Sequence, residues 1–202
     1  ITELARQRRD FFAAASHERK TPITIVKGQI ESMILGIGKY KDTEGVLPET
    51  LKEVENMERL VKEILTISKI EMYGLVGKTE AVSLTDVLIK VTETLSPLTK
   101  ERQTTVHLQT AENVTVFGNA SLLEKAIHNI LSNAIRHSPK GAEVFVHLTP
   151  SALTVANTGI SIPEEDLSVL FTPFYRVEKS RNKSTGGSGL GLYLVKTILE
   201  LH

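Results

Sequence analysis

His17 and Glu18 are neighbours in the run Ser16-His17-Glu18-Arg19-Lys20-Thr21-Pro22. An imidazole beside a carboxylate suits a nucleophile activated by a general base. Thr21 follows one helical turn later, on the same face as His17. Pro22 cannot donate to the Glu18 carbonyl and its ring crowds that turn, so a bend is expected beside the imidazole. Taken alone, the pair is better explained as an ordinary surface His on a helix.

Three further stretches could handle an anionic, base-bearing ligand. Asn129 and Asn133 stand four residues apart in Asn129-Ile130-Leu131-Ser132-Asn133-Ala134-Ile135-Arg136-His137-Ser138. On a helix they share a face, where side-chain oxygens can hold a hard cation carrying phosphates. Asn is a mediocre helix former, so this spacing needs a reason, and a polar face or a C-terminal cap would also supply one. Val155-Ala156-Asn157-Thr158-Gly159-Ile160-Ser161-Ile162-Pro163 reads as a strand entering a polar turn. An Asn there can read a nucleobase edge, although a plain strand-to-helix turn accounts for it about as well. Gly186-Gly187-Ser188-Gly189-Leu190-Gly191-Leu192 runs directly into a helical pattern, which lets backbone N–H groups and a helix N-terminus approach an anion. Arg176, Lys179, Arg181 and Lys183 bring positive charge nearby, as a solvated basic loop would too.

These residues need elements to hold them. Phe12, Ala15, Arg19, Pro22, Val26, Ile30, Met33 and Ile37 recur at steps of three and four, and Met57, Leu60, Ile64 and Ile67 repeat the pattern. Both imply helices with wide apolar faces, separated by a loop over 38–48. Two such helices cannot bury both faces, so an antiparallel hairpin pairing with its copy as a four-helix bundle predicts a homodimer. Gly74 and Gly77 mark residues 73–82 as a linker. Ser83 opens a helix running to about Thr99. Strands are expected at 104–109, 114–117, 143–148 and 153–156, the last two joined by a tight turn at Pro150-Ser151. Helices are expected at 120–136, 163–170 and 189–201. The alternation predicts an α/β sandwich with one mixed sheet covered on one face.

Composition narrows the function classes. The chain has 202 residues, with 24 Lys+Arg against 24 Asp+Glu. Zero net charge argues against bulk nucleic acid or an anionic membrane surface as the main partner. Without Cys, disulfide scaffolds, thiol catalysis and thiolate zinc sites are excluded. No window approaches the length of an apolar membrane span, and the first 20 residues are too charged for a signal peptide, so a soluble intracellular piece is expected. With no Trp, 4 Tyr and 6 Phe, the core must be aliphatic.

In order, the four motifs, with Phe171-Thr172-Pro173-Phe174-Tyr175-Arg176 between the third and fourth, resemble the H, N, G1, F and G2 boxes of bacterial sensor histidine kinases. The resemblance covers nearly the whole chain. Residues 1–72 look like a dimerisation and histidine phosphotransfer domain. Residues 83–202 look like a catalytic ATP-binding domain of the gyrase, Hsp90 and MutL type, C-terminally incomplete because the family continues with further strands. More loosely, Phe11-Phe12-Ala13-Ala14-Ala15-Ser16-His17-Glu18 and the run from Phe174 to Arg181 are similar to vancomycin-resistance sensor kinases of Gram-positive bacteria.

The resemblance implies an α+β protein that autophosphorylates on His17 from Mg-ATP, with Glu18 as base. The phosphoryl group would pass to an aspartate of a response regulator, and Thr21 would position water when the regulator is dephosphorylated. Asn133 would hold Mg2+, with Asn129 beside it. Arg136 and His137 would follow the phosphates and ribose, Asn157 would meet the adenine amino group, and Gly159 would permit the close turn. Gly187, Gly189, Leu190 and Gly191 would belong to a lid over the phosphates, with Arg176 reaching the γ-phosphate. Membrane and sensor segments upstream are also implied, making this the cytoplasmic portion of a membrane receptor.

Three positions depart from the family pattern: Arg19 where Leu is usual, Asn157 for Asp, and Ser161 for Gly. The Arg19 seam position points its guanidinium toward the bundle interior, where an unpaired charge is costly. The rival readings are another enzyme of the same ATPase superfamily, such as an anti-sigma serine kinase, and a non-catalytic dimerisation scaffold. The helical hairpin with its His motif argues against the first, while Arg19 and Ser161 favour the second.

Overall fold

A computed structural model describes residues 3–75, 79–111, 113–177 and 187–202, with side chains from Arg9 onward. By their contacts these residues divide into two units, at Thr66 and Ile67.

The first unit is a helical hairpin. Helix α1, Glu3–Leu35, continues through Pro22 as one element. It stops at Gly36, whose φ of +60° a side chain would resist, and the Ile37 N–H reaches back to the Ser32 carbonyl at 3.1 Å to close the turn. A short 3-10 turn, Gly38–Lys41, leads to α2, Thr43–Tyr73. The expected loop to Pro48 is therefore shorter than read. Asp42 Oδ1 accepts the Gly45 N–H at 3.2 Å and starts the helix early, and Pro48 costs only one donor in its second turn. Phe11, Ala15, Val46 and Leu60 are buried, whereas Phe12 and Arg19 are exposed. The seam thus begins one residue before the expected Phe12. Two adjacent Phe residues differ by about 100° around a helix, and residue type cannot choose between them. Ile23, Ile30, Ile34 and Leu35 remain exposed along α1.

In the second unit, β1 (Glu80–Ser83) pairs antiparallel with β3 (Thr115–Gly118). A separate three-stranded sheet has β2 (Thr105–Thr110) parallel to β4 (Glu143–Leu148), and β4 antiparallel to β5 (Leu153–Asn157). Among the described residues the expected single sheet is two, and β1 lies in the stretch read as a linker. Its sequence, Glu-Ala-Val-Ser, offers only Val82 to the core, too little pattern to announce a strand. The Ser83 helix also divides, into α3 (Leu84–Thr94) and α4 (Ser96–Arg102). Pro97 sits in the first turn of α4, where its missing N–H costs nothing, and its ring cannot continue α3.

Helix α5, Ala120–Arg136, follows β3. Strand β4 alternates strictly: Val144, Val146 and Leu148 are buried, while Glu143, Phe145 and His147 face out. Its inner side joins Leu88, Val91, Leu95, Ile127, Leu131 and Ile135 in one aliphatic core, so the helices cover one face of this sheet as expected. Helix α6 is limited to Glu164–Leu167, shorter than read, and α7 runs Gly191–Leu201.

Candidate functional site

His17, Glu18 and Thr21 all lie on the exposed surface of α1. Ser16, just before them, turns its Oγ back to the Phe12 carbonyl at 2.8 Å. Pro22 has no N–H for the Glu18 carbonyl, so that backbone is less tightly held than the rest of the helix.

The other candidate residues gather in the second unit around α5. Asn119 caps this helix, its Oδ1 accepting the Leu122 N–H at 3.1 Å. Six buried positions, from Leu123 to Ile135, anchor it and leave Asn129 and Asn133 half-buried. Asn129 Nδ2 donates to the Gly191 carbonyl at 3.4 Å, joining the second motif to the fourth. The His137 N–H closes the helix on the Asn133 carbonyl at 3.0 Å.

The third motif meets the same helix end. Asn157 is the last residue of β5 and exposed, and Gly159 follows with φ of +132°. A Cβ on Gly159 would land on the ring of Pro139, two residues beyond His137. Only glycine permits this turn and this approach together. The fourth motif is fixed similarly. Gly189 has φ of +73°, a Cβ there would stand 2.7 Å from the Phe174 carbonyl carbon, and its own carbonyl accepts the Phe174 N–H at 3.0 Å. Gly187 is exposed; Leu190 is fully buried and opens α7, its carbonyl accepting the Leu194 N–H at 2.8 Å. Lys179, Arg181 and Lys183 lie outside the described residues.

Positive charge collects where α5 ends. His137 keeps one side in solvent, yet partial desolvation and then the guanidiniums of Arg176, Arg102 and Arg136 hold its imidazole below the ordinary range. Burial, and next Arg136, lower His128 as well, against an opposing pull from Glu124. Half-buried carboxamides, two glycine turns and a guanidinium cluster fit a phosphate-bearing ligand that brings a hard cation with it.

Residues 118–202 match the family described as histidine kinase-, DNA gyrase B- and HSP90-like ATPase, and residues 7–72 match the His Kinase A (phospho-acceptor) domain. Sensor protein VanSB of Enterococcus faecalis is 34% identical over 98% of this chain. The chain belongs to the bacterial two-component sensor histidine kinases. It spans 45% of the length of VanSB. Histidine kinase AdeS of Acinetobacter baumannii has a similar structure, with a TM-score of 0.74 and 26% identity over 92% of this chain and 86% of that one. Histidine kinase ThkA, solved in complex with response regulator protein TrrA, shares the fold at 21% identity and a TM-score of 0.67, over 87% of this chain and 57% of that one.

Three features of this histidine kinase escaped sequence reasoning. Pro139 is the surface against which Gly159 turns, and only its position after the Asn motif hinted at it. Phe174 adopts φ of +63°, which nothing in an aromatic residue announces. Arg102 ends α4, far from any motif, yet its guanidinium is among those acting on His137.

Proposed function

We propose that this chain is the catalytic core of an ATP-dependent histidine kinase, with residues 1–72 as dimerisation and phosphotransfer domain, 73–82 as linker and 83–202 as ATP-binding domain. A nitrogen of His17 attacks the γ-phosphorus of ATP, the bond to the leaving ADP oxygen breaks, and Glu18 takes the imidazole proton. Phosphoryl transfer of this kind needs positioning and charge neutralisation more than covalent help. Asn133, with Asn129 beside it, would hold Mg2+, which supplies neutralising charge on the phosphates. Arg136 and His137 line the phosphates and ribose, Arg176 reaches the γ-phosphate, Asn157 accepts from the adenine amino group, and Gly187, Gly189, Leu190 and Gly191 border the phosphates.

The observation that carries this reading is the meeting of separate motifs at α5 and the turn that follows it, Asn129 with Gly191 and Pro139 with Gly159. The acceptor of the phosphoryl group is an aspartate of a response regulator, and Thr21 orients water when that regulator is dephosphorylated. The exposed Ile23, Ile30 and Ile34 on α1 favour a homodimer that covers them. The chain serves as the cytoplasmic portion of a membrane receptor. No described helix is long and apolar enough to cross a membrane, so the described helices do not supply the attachment.

Incubation with Mg2+ and γ-labelled ATP tests the proposal. Acid-labile, alkali-stable label that is missing from His17→Gln supports it. Label of equal strength in His17→Gln overturns the assignment of the acceptor.

A further inference from the structure

The carbonyls that end an α-helix have no donors within the helix and must find them elsewhere. At the end of α5 the Asn133 carbonyl takes the His137 N–H, and the Ala134 carbonyl takes Ser138 Oγ at 2.6 Å. Both donors are local. The Arg136 carbonyl differs, because its donor comes from another element: Arg102 Nη2, at 2.9 Å, from the last residue of α4. Arg102 also binds the far side of the same segment, since its own carbonyl accepts the Gly141 N–H at 3.1 Å. One residue therefore grips residues 137–140 from both ends, by side chain before and by backbone after. That segment holds His137 and presents the Pro139 ring to Gly159. The half-buried guanidinium also adds its charge to those of Arg136 and Arg176 around His137, at a helix C-terminus that favours a cation.

We propose that Arg102 is a positioning residue for the nucleotide, holding the His137–Lys140 segment where Pro139 meets Gly159 and so setting the distance between α5 and the turn after β5. The inference rests on the nucleotide reading of this site. Arg102 itself contacts no motif residue's side chain in the hydrogen bonds that define this clamp; it acts through the Arg136 carbonyl and the Gly141 amide.

The test is binding of a fluorescent ATP analogue with Mg2+ to the chain, well below its melting temperature. Arg102→Met keeps the aliphatic stem and removes the donor and charge; it weakens binding about tenfold, the loss expected for a charged hydrogen bond. Arg102→Lys keeps charge and one donor and restores affinity to within about threefold of the parent. Should the Met variant fail to fold, Arg102→Gln, neutral and too short to keep the contact, replaces it with the same expected loss. Parent-like affinity in the Met or Gln variant overturns the proposal, as does a Lys variant no better than Met. A parent chain that binds no analogue sinks the nucleotide reading itself, and this inference with it.

Discussion

Phe174 and Gly189 are joined backbone to backbone, the Phe174 amide donating to the Gly189 carbonyl at 3.0 Å while both residues hold positive φ, +63° and +73°. The contact tolerates no side chain at position 189. Gly189→Ala must either strain its backbone or push Phe174 away, and is expected to destabilise the second unit by about 1–3 kcal/mol. Urea denaturation measures this; an unchanged midpoint would contradict the geometry.

The Gly159 contact allows a sharper test. Gly159→Ala should cost stability and nucleotide affinity, because the new methyl meets the Pro139 ring. Pro139→Ala in the same chain should return part of the loss, leaving the backbone cost at φ of +132°. A double-mutant cycle with a coupling of about 0.5 kcal/mol or more checks it, and simple additivity would refute a direct contact.

For Asn133 the distinction lies in the metal. Asn133→Ala should weaken analogue binding about tenfold with Mg2+ present and much less in EDTA, since the lost oxygen serves the cation. Equal losses under both conditions would move Asn133 from the metal to the nucleotide itself.

Tyr193 gives a prediction at high pH. Its hydroxyl donates to Glu71 Oε1 at 3.1 Å, and burial first, then the Glu71 charge, raise its pKa from 10.0 to about 12. The folded protein thus favours the protonated phenol. The resulting stabilisation is complete below pH 10 and disappears as pH climbs toward 12. The stability difference between the parent and Tyr193→Phe should therefore shrink across that interval in denaturant titrations. A constant difference would show that the phenol does not titrate with folding.

Much of the second unit was legible because its strongest periods belong to its core. Helix α5 occupies the expected Ala120–Arg136 and β4 the expected Glu143–Leu148. Elements defined by their partners were less legible. Strand β1 exists through its pairing with β3, from Glu80 opposite Gly118 to Ser83 opposite Thr115, and four residues carry no period. The break at Leu95 follows from Pro97, which was visible but compatible with one longer helix. In the site, the glycines were legible as positions of conformational freedom. What they approach, Pro139 and Phe174, was not, since a contact between segments apart in sequence leaves no local trace.

The apolar strip on α1 bears on assembly. Replacing Ile23 and Ile30 with Glu should shift the chain toward monomer in sedimentation velocity, because both are exposed within one hairpin and a dimer would bury them. Unchanged sedimentation would place the dimer contact elsewhere.

The place of His17 along α1 has a kinetic corollary. At 1.5 Å per residue it lies about 21 Å from the start of the helix and about 27 Å from its end, a single imidazole mid-way along a rod. Under the proposed chemistry, the nucleotide-bearing domain and the receiving aspartate must approach the same small footprint, and two bodies of that size cannot occupy it together. Donor and acceptor must then alternate, so the overall transfer resolves into two half-reactions, each ending with its visitor's departure.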